Sequence, residues 1–351
     1  LETKALPFDE KEIPLLSDVE PLRSEPRGFM PEQMVTCEVC LRANPPTRTS
    51  CLYCSAQLQA TEASAALQRP TLRKLEKWEQ GFNVILLPGG SSSLTSAALD
   101  EMAELLRLKP EDLKRIVEMG KSLPVARAAT RDEASLIESR LAQMGVSVLV
   151  IADNDLALDD STLGRALDLT ESALVAHPAA GSGETWRMEW TKIVLLVAGR
   201  LVVRQVEVEE RKGRKAEIEL VDTRELSADE AVLDIYSAQN NKSLRIKAGN
   251  FDFSCLGSQK GLIAAQNFST LVAVLKERAS EASYDDSYYS VRHALAAAWP
   301  LEQQTEAGGW RRQRPGRIST EAVTRSDNEM QFTRYSRLRH YLSQHHPDFS
   351  R

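Results

Sequence analysis

The chain has 351 residues, 42% apolar and 27% charged, with a formal net charge of −6. That length exceeds one ordinary core and predicts two or three domains. The charge excludes global attraction to nucleic acid or anionic lipid, and the longest apolar run, Ile193 to Val203, is too short to span a bilayer and carries Arg200.

Residues 1–33 hold five prolines and eight acids against four bases, with no helical or strand period, and read as an extended acidic tail. The opening "LETKALPFDEKE" starts with Leu rather than Met, as a chain with a missing or processed N-terminal piece would, and has no apolar signal core. Residues 34–55 carry four of the five cysteines. Residues 56–80, Ala/Gln/Leu-rich and broken by Pro70, read as a linker. From Gly81 the character changes. Phe82–Leu87 is a short strand closed by Pro88-Gly89-Gly90. "TSAALDEMAELLRL" sets Leu99, Met102 and Leu106 on one helical face. "KPEDLKRIVEMG" has Pro110 in its first turn and ends at Gly120. "TRDEASLIESRLAQMG" opens on a capping box, Thr130 and Glu133, and closes at Gly145. "VSVLVIAD" is a strand. The predicted order over 81–152 is strand, helix, helix, helix, strand.

Residues 153–280 read as seven short strands separated by turn signals such as "AAGSGE", "RKGRK" and "QNNKS". A helix, "GLIAAQNFSTLVAVLKERA", follows. This predicts a small barrel or sandwich plugged at one end. Residues 281–351 hold one helix, "DDSYYSVRHALAAAW", and then a basic aromatic tail. From Gly308 to Leu342 there are eight bases against three acids.

Cys37, Cys40, Cys51 and Cys54 form two Cys-x-x-Cys pairs joined by ten residues. Each pair turns two sulfurs the same way, and the link lets the second pair fold back on the first. Four thiolates at this spacing suit one tetrahedral Zn²⁺, with iron or a redox pair as alternatives. Four protein ligands close the coordination sphere, so a structural metal is expected rather than a catalytic one. The stretch resembles a zinc ribbon. It serves either as a staple for a segment too small for a core or, through Arg42 and Arg48, as a nucleic-acid contact. Thiols at metal spacing suit a reducing cytoplasm.

"GFNVILL", "PEDLKRIVEMG" and "ATRDEASLIESRLAQMGVSVLVI" make residues 81–152 resemble the C-terminal domain of the bacterial ribosomal stalk protein and the related Clp protease adaptor. Lys114 matches a basic docking position of the stalk family, while Asp100, Glu101 and Glu104 stand where that family is basic. "LLPGG" replaces the Asn-Asp pair of the adaptor pocket. The resemblance therefore implies a fold and a protein-binding role, and no site residues. "LTESALVAHP", "WTKIVLLVAGRL" and "LRIKAGNFDFSCLG" make residues 153–280 similar to a pleckstrin-homology-type bacterial barrel. Its first loop, "HPAAGSGETWR", has a single Arg187, which disfavours phosphoinositide binding. The expected fold class is thus multi-domain α+β: zinc ribbon, small α/β sandwich, and seven-stranded pleckstrin-homology-like β barrel with a C-terminal helix.

No histidine sits at nucleophile or metal spacing, "SCLG" is no nucleophile elbow, and "PGGSSSLTS" lacks a phosphate-binding end. Asp159-Asp160 reads as a solvated loop pair, the basic tip Arg211–Lys215 as a solvated turn, and Cys255 as core. No enzyme is expected. Trp310, Arg311, Arg312, Arg314, Arg317, Phe332, Arg334, Tyr335 and Arg337 interleave Arg with aromatic residues. Such a segment grips a protein partner, docks on the chain's own acidic surface, binds single-stranded nucleic acid, or is a plain solvated tail. The expectation is a cytoplasmic, non-enzymatic adaptor or scaffold that binds proteins through its small domains and extended termini. A nucleic-acid- or ribosome-associated factor, and a peripheral membrane protein attached through the barrel, are the alternatives.

Overall fold

A computed structural model describes residues 29–59, 68–76, 78–89, 94–158, 161–178, 185–212, 218–239, 242–307, 311–314 and 317–349. Most of the expected acidic tail, Asp159-Asp160 and the tip residues Arg214 and Lys215 lie outside them. The chain separates into two compact units, Leu1–Arg69 and Pro70–Arg351. The architecture is mixed α and β.

In the first unit, β1 (Val35–Thr36) pairs antiparallel with β2 (Ala43–Asn44). The buried apolar set is Cys37, Cys51 and Leu58.

In the second unit, β3 (Phe82–Leu86) is the centre of a three-stranded sheet, between β4 (Leu123–Ala128) and β5 (Val148–Ala152). The helices are α1 (Ser96–Leu106), α2 (Pro110–Glu118) and α3 (Arg131–Gln143). The order is therefore strand, helix, helix, strand, helix, strand, with β4 as the strand that the sequence reading lacked. Pro124 hides it, because proline is confined to edge strands and bulges. β4 is an outer strand, and Pro124 sits at its register shift. The capping box at α3 is half realised. Thr130 Oγ1 accepts from Glu133 N (3.2 Å). The buried Glu133 carboxylate accepts instead from Thr71 N (2.5 Å), Leu72 N (2.6 Å) and Ala129 N (3.1 Å). The segment expected as a linker is thereby fixed to α3 at Thr71 and Leu72.

The large sheet runs β13 (Glu302–Ala307), β15 (Arg317–Asp327), β9 (Ile193–Lys212), β10 (Ile218–Ser237), β11 (Ser243–Lys247), β6 (Thr162–Leu169), β7 (Ala173–Pro178), β8 (Trp186–Glu189). β12 (Ser283–Asp285) lies parallel to β9, and β14 (Arg311–Arg314) pairs with β15. The seven expected strands of 153–280 become six. β9 and β10 are single strands of 20 residues each, where four shorter pieces were expected. Gly199 read as a break. It lies inside β9 because a Cβ there would sit 2.5 Å from the Phe332 ring, so the glycine marks a close approach. "FDFSCLG" is a 3-10 segment (Phe253–Gln259) rather than a strand.

Side chains alternate across a strand, and β9 and β10 feed two cores. Leu195, Val197, Leu201, Val232 and Tyr236 enter one, with the helices of 81–152. Leu196, Ala198, Leu233 and Ile235 enter the other, inside the curl of β6–β8 and beneath α4 (Ala264–Arg278). Burial on both faces explains the unbroken apolar run. It also corrects the expected division at residue 152: residues 81–152 share a core with β9, β10 and the C-terminal helices.

The C-terminal region is the second correction. After α5 (Tyr288–Leu295), residues Glu329–His345 form α6, which fills the shared core with Phe332, Tyr335, Leu338 and Leu342. These recur at helical spacing, and the aromatic positions read as a partner surface are a core stripe. Polar pairs tie α6 to the sheet. Arg245 donates to Asp234 from Nε (2.7 Å) and Nη2 (2.8 Å), and to Thr333 Oγ1 (2.9 Å). Asp285, buried on β12, pairs with Arg339 and accepts from Tyr335 OH (3.0 Å) and Ser287 N (2.7 Å). Trp299 Nε1 donates to Asn83 Oδ1 (2.8 Å) on β3, and Gln331 Nε2 donates to Trp299 O (2.8 Å).

His340 stacks on Tyr236 with ring centres 4.4 Å apart. Burial pushes its imidazole down to about 4, with a smaller push from His345. The ordinary value is about 6.5, so between the two the unfolded chain binds a proton that the folded chain refuses. The stability contributed is complete above about pH 6.5 and is lost as pH falls toward about 4. Urea midpoints are expected to drop across that window, and His340→Gln to flatten the drop. An unchanged slope in the variant assigns the acid sensitivity to other groups.

Candidate metal centre

The two Cys-x-x-Cys segments fold into the same turn. Cys37 N donates to Arg42 O (2.9 Å) and Cys51 N to Ala56 O (2.7 Å). Leu41 N donates back to Cys37 O (2.8 Å), and Ser55 N to Cys51 O (3.1 Å). Leu41 and Ser55, each following the second cysteine of its pair, take left-handed φ values of 57° and 60°. The repetition brings four sulfurs together, all within 4.8 Å of one another.

Cys37 Sγ lies 3.6 Å from Cys54 Sγ, and Cys40 Sγ 3.5 Å from Cys51 Sγ. A tetrahedron with metal–sulfur bonds of about 2.3 Å has edges of about 3.8 Å. The sulfurs thus stand close to the corners that a four-coordinate ion needs, and they could hold one metal ion. Among the described residues this is the one such cluster of Cys, His, Asp or Glu donors.

Electrostatics point the same way. Burial raises the Cys51 thiol, but the N–H groups of Tyr53 and Cys54 and the Cys40 thiol outweigh it and hold Cys51 down to about 6. The Ala56 N–H pulls Cys54 down, yet burial and the other three sulfurs push it up to about 12. Sulfurs crowded this closely oppose one another's ionisation, and a cation among them would relieve it. A divalent ion supplies that compensation for the whole set.

Asn44 is the residue that the sequence reading missed. It is fully buried between the turns. Its Nδ2 donates to Arg42 O (2.9 Å), and its Oδ1 accepts from Leu52 N (2.8 Å). One amide therefore locks the first turn to the second. The signal was an amide side chain directly before Pro45-Pro46, at the point where the link must turn.

Around the sulfurs, Val39, Leu41, Leu52 and Tyr53 are 73%, 78%, 53% and 56% exposed. All four lie within or next to the two cysteine turns. The Arg42 guanidinium sits 4.6 Å over the Tyr53 ring, and Arg48 Nε donates to Ser50 O (3.1 Å). Both arginines read as nucleic-acid contacts are engaged within the ribbon.

The remaining candidates scatter. Trp310 and the side chains of Arg311, Arg312, Arg314 and Arg317 lie outside the described residues; the last four belong to β14 and β15. Phe332 and Tyr335 are buried. Burial and the neighbouring Arg127 lower the Arg334 guanidinium, and Arg337 Nη2 donates to Leu158 O (3.2 Å). Of this set only Phe332, Arg334, Tyr335 and Arg337 have described side chains, and the two aromatic ones are buried. Cys255 is half-buried, and burial pushes its thiol up. Among the described residues, no helix is long and apolar enough to cross a membrane.

No protein family, no curated protein and no solved structure matches this chain.

Proposed function

We propose that the protein is a non-enzymatic adaptor whose ribbon, closed by one structural Zn²⁺, is a docking head for a protein partner. Four thiolates and no open ligand position favour a structural zinc. The observation that carries the reading is the set of exposed apolar side chains at the turns, Val39, Leu41, Leu52 and Tyr53. A segment this small has little apolar surface to spare, and an apolar patch held rigid by a metal suits recognition. A partner with a complementary apolar patch would bury the four together, with Tyr53 and Arg42 as anchors of the kind that dominate interfaces. Thiolates committed to a metal rather than to disulfides would suit a reducing cytoplasm.

The test is a Leu41→Glu/Tyr53→Glu variant of the full chain, with metal content checked. Quantitative affinity purification from the native cells is expected to lose specific proteins that the parent chain retains. An identical set of bound proteins, with the metal still in place, would overturn the proposal.

A further inference from the structure

The turn after α5 is the meeting point of three adjoining hollows in the unit Pro70–Arg351, of about 390, 320 and 220 Å³, all lined in part by Ala296. Adjoining at Ala296, they line a groove from β4, past α2 and α5, to Val202 and Arg204 of β9. Its walls invert the charge of the chain. Seven of the lining side chains are Arg or Lys and one, Asp112, is an acid, in a protein of net charge −6.

Three of the seven have their charge answered: Arg73 by Glu79, Arg115 by Asp112 and Arg127 by Asp153. Lys74, Arg107 and Arg204 are exposed and have no carboxylate partner among the described residues. Arg292 lies over the Tyr289 ring at 4.5 Å, with its Nε buried and without a hydrogen-bond partner. Between these charges the groove is apolar, with Leu108, Ile116, Met119 and Ala297 in the middle and Val202 and Leu301 toward the arm. The first hollow also runs along Val125–Arg127 of β4, an outer strand paired only with β3.

A positive groove with an apolar floor selects its ligand's chemistry. A small inorganic anion would leave the apolar floor empty. Single-stranded nucleic acid needs aromatic faces for its bases, and no Phe, Tyr or Trp lines any of the hollows. An extended peptide can place apolar side chains on the floor and carboxylates against Lys74, Arg107, Arg204 and Arg292. We propose that this groove binds an extended segment of a partner protein in which acidic and apolar residues alternate. The site belongs to Pro70–Arg351 alone and does not depend on the ribbon's docking role.

The experiment uses the full chain and a labelled twelve-residue peptide of alternating Glu and Leu. An alternating Lys/Leu peptide and a twelve-nucleotide single-stranded RNA are the controls. Fluorescence anisotropy at low salt is expected to show binding of the Glu/Leu peptide alone. Lys74→Glu/Arg107→Glu, and separately Arg204→Glu, are expected to weaken it by about tenfold or more. These side chains are exposed and unpaired, so the variants keep the fold, checked by circular dichroism. No binding of the acidic peptide, binding indifferent to the charge reversals, or tighter binding of the RNA would each overturn the assignment.

Discussion

Cys51→Ser is expected to release the metal and unfold the ribbon while Pro70–Arg351 stays folded. The ribbon's buried apolar set is two cysteines and one leucine, far too little to offset the chain entropy of the segment. Structural zinc supplies about 10–16 kcal/mol in comparable small sites, so its loss removes nearly all of the folding free energy. Metal analysis should fall from one zinc per chain to background. The slowed amide exchange of Cys37, Leu41, Cys51 and Ser55, whose N–H groups close the two turns, should be lost with it. A strong chelator should reproduce the result on the parent chain. Persistent protection at these amides in the metal-free protein would refute the metal-held ribbon.

Asp285→Ala should destabilise the larger unit by about 3–5 kcal/mol, because it strands a buried guanidinium. Asp285 and Arg339 are both buried, and the same carboxylate accepts from Tyr335 OH and Ser287 N. The environment is poor in solvent. Burial first, and then the Asp285 charge, hold the Tyr335 hydroxyl well above its usual range. The loss is a large share of the total stability of a typical domain. Arg339→Met alone should cost a similar amount, by leaving the carboxylate unpaired. The double variant Asp285→Leu/Arg339→Met should recover much of either loss, since an apolar pair of similar volume often replaces a buried ion pair without penalty. Urea unfolding of the three variants measures this, and a single-variant cost below about 1 kcal/mol would rule out an essential pair.

The parts of the molecule legible in the sequence are those with local causes. The cysteine spacing announced the cluster, because two short turns fix four sulfurs without help from distant residues. Helix α2, with Pro110 in its first turn, and α3, with Thr130 at its start, could be placed because caps are local. What stayed hidden depends on contacts far along the chain. Gly199 reads as a break unless the Phe332 ring is known to lie against it. β4 reads as loop because Pro124 is tolerable only on an outer strand. Phe332 and Tyr335 among arginines resemble a sticky tail until Asp285 and Asp234 are seen answering Arg339 and Arg245. Asn44 gave almost no signal, since its two partners are backbone groups whose positions the metal-binding turns create. The basic groove was also invisible, because its charges come from the segment before β3, the end of α1, α2, β4, β9 and α5.

The shared core has a consequence for how the protein is made. Val84 and Ile85 of this core leave the ribosome long before Phe332 and Leu342 of α6. At about 5–20 residues per second the wait is on the order of ten seconds or more. β9 likewise gains its β15 partner only after the intervening chain has been synthesised. During that interval an apolar sheet face and an unpaired strand edge stand open to solvent, the features that recruit chaperones or seed aggregates. The nascent chain therefore stays vulnerable until α6 has emerged. Loss of α6, by a premature stop or by proteolysis, should compromise the whole of Pro70–Arg351.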